Sequence, residues 1–404
     1  MRTERLAGGI RWAVLAAVTL AMLTVAPPAA HAGDGFFTRQ NLHTTSHAPI
    51  SFNAYPTGWT TPWDQTRHIA YVNGDGTIIA GAMPAGGSWA WWHTPSLDVR
   101  YTRLTAYAYS WDRSSHIIYD NGFHIHELWW SEASPKWQDV DLTAQTGGWR
   151  SAEIGSGYEQ GGDQHIVFNE ATLDSHVWEL RYTPGAGWRA EDLSVTTHTT
   201  PSQRGFAVGI GRGDNFGEAV AYVASDNKIH LLSSANGTDW VDQPIAEWAH
   251  APAPDTGIPR MDMFQSSGSF ELSIVYNTKS GAEAGNQIHL LSWSELKGWT
   301  DVDVGKVTGY QGRTSAEPRA SFFFEADASD HIFTVDNHGA IVEFVRSRSD
   351  QWFVWKDTED GAAYANVGAF FSPDDRFGLS YTENVAFPDT DGALNLMELT
   401  APTT

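Results

Sequence analysis

The sequence has no cysteine among its 404 residues. That removes disulfides, thiolate-bound zinc, iron–sulfur clusters and thiol catalysis in one step. Charged residues are scarce, at 18%. Basic ones are scarcer still: 25 Lys and Arg stand against 48 Asp and Glu, a formal net charge of -23. Affinity for nucleic acid rests on phosphate neutralisation, and adhesion to anionic membranes rests on basic patches. This chain is charged for neither, so no nucleic-acid partner is expected. After Ala32 no apolar run is long enough to cross a bilayer, so no membrane insertion is expected. A helical period of 3.6 is also hard to find there. There is no HExxH motif, no GxSxG elbow and no phosphate-cradling glycine loop, which argues against acyl and phosphoryl transfer.

What the chain does have is 38 Gly, 19 Trp and 19 Phe, with 41% hydrophobic residues. Many turns and many large aromatics point to an all-β globular protein. The N-terminus reads as a secretory signal. Arg2, Arg5 and Arg11 form a basic head, Trp12 to Val25 an apolar run, and Ala30-His31-Ala32 a small-x-small cleavage site. We expect 1–32 to be a signal peptide and 33–404 the mature, secreted chain. Losing three Arg and one Glu leaves 22 basic against 47 acidic residues.

Length alone suggests two or three domains, but internal repetition replaces that estimate. A strand His-Ile-x-aromatic recurs at His68, His116 and His165, and His331-Ile332-Phe333-Thr334 follows the same pattern. Degenerate copies begin at Ala219, Ser273 and Gly378. The first residues are spaced by 48, 49, 54, 54, 58 and 47 positions. Each copy runs through a turn rich in Asn, Asp and Gly into a strand such as Ile125-His126-Glu127-Leu128 or Val177-Trp178-Glu179-Leu180. A Trp then opens a further strand: Trp137, Trp188, Trp240, Trp299, Trp352. Asp-Leu or Asp-Val often follows it, as at Asp141, Asp192 and Asp303. Another short strand precedes each His strand, for example Phe206 to Ile210.

Four hairpin-linked strands repeated with this period predict a single seven-bladed β-propeller of four-stranded antiparallel blades, with six blades as the runner-up. The last repeat lacks its fourth strand. The segment Gly35 to Leu42 resembles Gly187 to Leu193, so the N-terminal strand is expected to complete the last blade and close the ring.

No catalytic residue, cofactor or metal site is indicated. His124 and His126 form an H-x-H pair with no third ligand at a recognisable spacing. Asp389-Thr390-Asp391-Gly392 reads as a hairpin turn. Repeated polar and Trp positions suit a multivalent sugar binder. A sugar stacks its C–H face on an aromatic ring and needs fixed partners for its hydroxyls. The histidines also have a structural reading, as cross-strand partners of aspartates such as Asp141 and Asp192.

The blade pattern, a basic residue before Ile/Val-x-Tyr, then Ile-x-Glu, then an aromatic and a Gly-Trp strand, resembles the fungal-type fucose-binding lectin propellers and their bacterial relatives. It spans Phe36 to Glu398. The resemblance implies a secreted glycan-binding protein with ligands in grooves between blades. It pairs His116 and Glu127 with Tyr182 and Trp188. It pairs His165 and Glu179 with Trp240, with Ser234 where a second aromatic belongs. It pairs His331 and Glu343 with Phe36 or Phe37. In the first blade Ala80 replaces the Glu that would accompany His68, with Trp130 and Trp137 following. The family carries Arg where this chain carries His, and six blades are its usual number. Glycans or cell-surface carbohydrate are the implied partners. A secreted carbohydrate-active hydrolase or lyase, or a protein–protein interaction scaffold, are the alternatives. No oligomeric state follows from the sequence.

Overall fold

The computed structural model describes residues 37–400, less 51–55, 95–96, 98, 100–103, 123, 148–150, 171–174, 202–206, 212–216, 256–260, 266–270, 280–285, 311–319, 325–328, 348, 359–362, 364–366 and 375–379. The proposed signal segment, Gly35 and Phe36 lie outside the described residues. Seven four-stranded antiparallel sheets follow one another along the chain. Blades 1 to 6 occupy 57–93, 105–141, 151–192, 207–243, 261–303 and 320–356. In each the strands hydrogen-bond in sequence order. The first strands of successive blades lie side by side, and that of blade 7 lies beside that of blade 1, so the ring is closed.

Blade 7 joins three strands from 368–400 with Phe37–Asn41, which pairs antiparallel with Leu394–Thr400. The expected closure is therefore present. One repeat is shifted relative to the sequence reading. In blades 2 and 4 the strand-ending Tyr119 and Tyr222 pair with His126 and His230. The matching pair in blade 7 is Phe387 with Asn395. The seventh copy is thus Asn384-Val385-Ala386-Phe387, and Gly378-Leu379-Ser380-Tyr381 precedes it. A Tyr at the fourth place drew the motif to the wrong register, because the true copy has Asn where four of the other copies have His.

Strand alternation explains the repeat. Successive side chains face opposite sides of a sheet. In blade 2, Ile117 and Tyr119 pack towards blade 1, while His116 and Ile118 face blade 3. Every second strand therefore serves two seams. The buried hydrophobic residues form seven clusters, one per seam, with none running through the whole ring. Burying a side chain such as Ile117 or Tyr119 is worth roughly 1.5–3 kcal/mol, so seam packing is what holds neighbouring blades together.

The Asp-Leu signature has its own physical cause. Asn41, Asp141, Asp192 and Asp303 cap helical turns at Leu42–Ser46, Leu142–Thr146, Leu193–Thr197 and Val304–Thr308. Each side chain accepts the N–H three residues on. The next residue is apolar because it is buried. Glycine is required at Gly298, where φ is 68° in the hairpin leading to Trp299. At Gly155 a Cβ would sit 1.7 Å from the Ala207 carbonyl oxygen of the next blade. No helix among the described residues is long and apolar enough to cross a membrane.

Candidate functional site

Three positions recur at every seam. Two come from one blade: the His position on its second strand and the Glu position on its third. The other comes from the next blade, where the residue just before its own His position points back. In seam 2/3 these are His116, Glu127 and Gln164. His116 Nδ1 lies 2.7 Å from Glu127 Oε1, and its Nε2 lies 2.6 Å from Ser114 Oγ. Tyr107 stacks on the imidazole with ring centroids 5.2 Å apart, and its hydroxyl donates to Gln164 Oε1 at 2.8 Å.

Seam 3/4 carries His165, Glu179 and Glu218. His165 Nδ1 is 2.9 Å from Glu179 Oε1 and 3.1 Å from Glu218 Oε2. Tyr158 stacks on the ring at 5.1 Å. Seam 6/7 repeats the set with His331, Glu343 and Glu383, the last 3.2 Å from His331 Nδ1, under the Phe322 ring. Burial acts against a charged His165, but its hydrogen bonds to Glu179 and Glu218 outweigh that and raise its pKa. Burial pushes the Glu179 carboxyl up. Burial acts upward on Glu218 too, yet its contacts with His165 and Glu179 and the nearby charge of Arg181 leave it below its usual range. In seam 1/2 no carboxylate among the described residues forms an ion pair with His68. Burial lowers it to about 4, with only Asp64 acting the other way. It lies stacked against Trp59 at 4.8 Å.

The sequence-derived pairs are therefore brought together, but inside the seams. His116, Glu127, His165, Glu179, His331 and Glu343 are all buried. Tyr182 and Trp188 contact each other at 5.5 Å and are half-buried, with Tyr109 edge-on to both His116 and Tyr182. Tyr109 thus stands between the pair on blade 2 and the aromatics on blade 3. Trp240 is buried in the apolar core of seam 3/4 with Val167 and Leu193. Phe36 lies outside the described residues. The structural reading of the repeat histidines had the wrong acid: Asp141 and Asp192 pair with His124 and His176, at 2.7 and 2.5 Å.

Seam 4/5 is different. Its three positions hold Ala219, Leu231 and Leu272, so there is no buried charge to satisfy. A cleft of about 190 Å³ opens there, lined by Leu231, Ser233 and Gln243 of blade 4 and by Leu272, Trp293 and Trp299 of blade 5. Gln243 Nε2 donates to Ser233 Oγ at 2.8 Å. Trp293 pairs with Trp299 across the hairpin as Tyr182 pairs with Trp188. Trp293 and Trp299 are half-buried, so part of each ring is accessible. The sequence reading placed Trp299 in the repeat but passed over it as a site residue, and it missed Trp293 altogether. The available signal was the Gly-Trp strand six residues downstream of a second Trp.

No family model matches this chain, and no curated protein matches it. Solved structures do. The BP39L lectin from Burkholderia pseudomallei shares the fold at a TM-score of 0.63 and 11% identity, over 87% of this chain and 97% of that one. AofleA from Arthrobotrys oligospora aligns at 0.53 with 12% identity, over 80% and 90%. The Aleuria aurantia lectin, solved with Fucalpha1-6GlcNAc, aligns at 0.50 with 10% identity, over 76% and 96%. The chain shares its fold with lectin propellers.

Proposed function

We propose that this protein is a secreted, lectin-like carbohydrate-binding propeller that takes a sugar in the groove between blades 4 and 5. The observation that carries the reading is the cleft itself. Two accessible indoles from one blade face a hydroxyl and an amide from the other. Indole faces accept the apolar C–H side of a pyranose, while Ser233 and Gln243 offer donors and acceptors to its hydroxyls. The lectin identity of the structural neighbours supports the same reading. So does the sequence pattern of the first 32 residues for export. In this reading the His–Glu pairs brace their seams, and the sugar contacts fall to Trp293, Trp299, Ser233 and Gln243. Tyr182 and Trp188 form a second, shallower aromatic pair at seam 2/3.

A glycan array with the mature chain tests this. The expected result is selective retention of a subset of glycans, without release of reducing ends, lost in a correctly folded Trp299→Ala variant. An array with no retained glycan, or retention unchanged in Trp299→Ala and Trp293→Ala, would overturn it.

A further inference from the structure

Seam 2/3 provides the reference for seams 3/4 and 6/7. In seam 2/3 one imidazole faces one carboxylate, and the residue turned back from the next blade is the neutral Gln164. In the other two seams that position holds Glu218 and Glu383. Each of these seams therefore buries two carboxylates against a single imidazole. All six side chains are at least 97% buried. In seam 3/4 Arg181 Nη1 stands 3.9 Å from Glu218 Oε1, but Arg181 Nε is held by Asp163 Oδ2 at 2.6 Å, so the two carboxylates are only partly offset in an interior where an unbalanced charge costs several kcal/mol. Several atoms are left over as well. Glu179 Oε2 and Glu383 Oε2 are buried without a hydrogen-bond partner, and Glu383 Oε1 stands 3.2 Å from His331 Nδ1 without hydrogen-bond geometry. Next to seam 6/7, Asp357 Oδ2 is also buried without one.

The donor atoms converge. In each set one imidazole nitrogen and two carboxylate oxygens lie within 4.8 Å of one another. We propose that seams 3/4 and 6/7 are each a binding site for one first-row divalent cation, held by His165, Glu179 and Glu218 in one and by His331, Glu343 and Glu383 in the other. A neutral imidazole and two carboxylates balance a doubly charged ion. One nitrogen with two hard oxygens suits zinc or manganese, whereas calcium requires six to eight oxygens. Bonds of about 2.0–2.2 Å in a tetrahedral arrangement place donor atoms a little over 3 Å apart. The observed 2.9 and 3.1 Å around His165 Nδ1 need only tenths of an ångström of movement. Each ion would join two adjoining blades in a chain that has no disulfide.

The test uses the whole mature protein, stripped with EDTA and then titrated with zinc chloride, with manganese chloride as a second probe. His124, His126 and Asp141 form a half-buried group that also places three ligand atoms together. It is removed beforehand by His124→Ala with His126→Ala. Elemental analysis after gel filtration is expected to find two zinc ions per chain, and zinc to raise Tm. Glu218→Gln or Glu383→Gln, each imitating Gln164, is expected to leave one ion, and both together none. A chain that retains no zinc, with a Tm indifferent to zinc and EDTA, overturns the proposal and assigns the excess charge to a bound proton. Zinc content unchanged by the two substitutions overturns it too. If a variant does not fold, the parent's titration decides: two equivalents with a raised Tm support the sites, and none overturns them.

Discussion

Seams 3/4 and 4/5 are adjacent and are built from the same strands, yet they end in opposite states. Blade 4 contributes to both. Towards blade 3 it presents Glu218, which meets His165 and Glu179 in a filled, charged interior. Towards blade 5 it presents Ala219 and Leu231, and an open cleft results. Three substitutions at equivalent positions separate the two outcomes. A buried charge demands partners at hydrogen-bond distance, and satisfying that demand fills the seam. Small and aliphatic residues make no such demand, so the aromatic wall of blade 5 stays apart from blade 4 and one groove remains accessible.

The comparison can be broken most severely at His165. His165→Ala leaves Glu179 and Glu218 buried together without the imidazole they share, and a loss of about 3–5 kcal/mol in urea unfolding is expected. Combining it with Glu179→Leu and Glu218→Leu installs the residue types of seam 4/5. That triple variant should recover most of the loss, and equal stabilities of the single and triple variants would refute the charge argument. Next in size is His68. Its folded pKa of about 4 lies below the unfolded value near 6.5. As pH falls from 6.5 to 4 the unfolded chain takes the proton first, so stability present above pH 6.5 is lost across that window. The parent should lose about 3 kcal/mol more over this range than His68→Phe, measured by denaturant titration at each pH.

A smaller effect is expected from Ser233→Trp, which fills the cleft from the blade 4 side. Sugar affinity should fall about tenfold or more, ~1.4 kcal/mol, with Tm unchanged, read by calorimetry on the glycan that the array selects. The smallest is Asp303→Ala. It removes the cap that follows the Trp299 strand and should cost about 1 kcal/mol of stability while leaving sugar affinity as it was. A cap loss that also abolished binding would mean that the cleft wall depends on the outer helical turn.

Most of the architecture was legible before any coordinates. The repeat period, the seven blades and the closure by residues near Phe37 all follow from hydrophobic alternation and turn residues, which are local signals. The resemblance to lectin propellers grouped His with Glu of the same blade, but as ligand contacts; the residues alone suggested aspartates as the histidines' partners. What escaped was everything assembled from two blades. Glu218 and Glu383 stand about 50 positions from the histidines they face. They differ from Gln164 by one side chain in a place the motif did not include. The cleft escaped because it arises from residues that lack distinguishing chemistry: Ala219, Leu231 and Leu272 looked like degraded copies, and their blandness is what leaves room. The seventh copy was displaced because Asn384 stands where four of the other copies carry the marking His.

The pairing of Phe37–Asn41 with Leu394–Thr400 has a kinetic consequence. Blades 1 to 6 are made from neighbouring hairpins, and each can form from a short stretch of chain. The last sheet joins residues about 360 positions apart. Closing so long a loop in an unstructured chain costs roughly 2–3 kcal/mol more than closing a loop of about 20 residues. That difference disappears once the intervening blades have folded and carried the two ends together. The order of assembly follows: six sheets from local contacts, then a single docking step that joins the two ends of the chain.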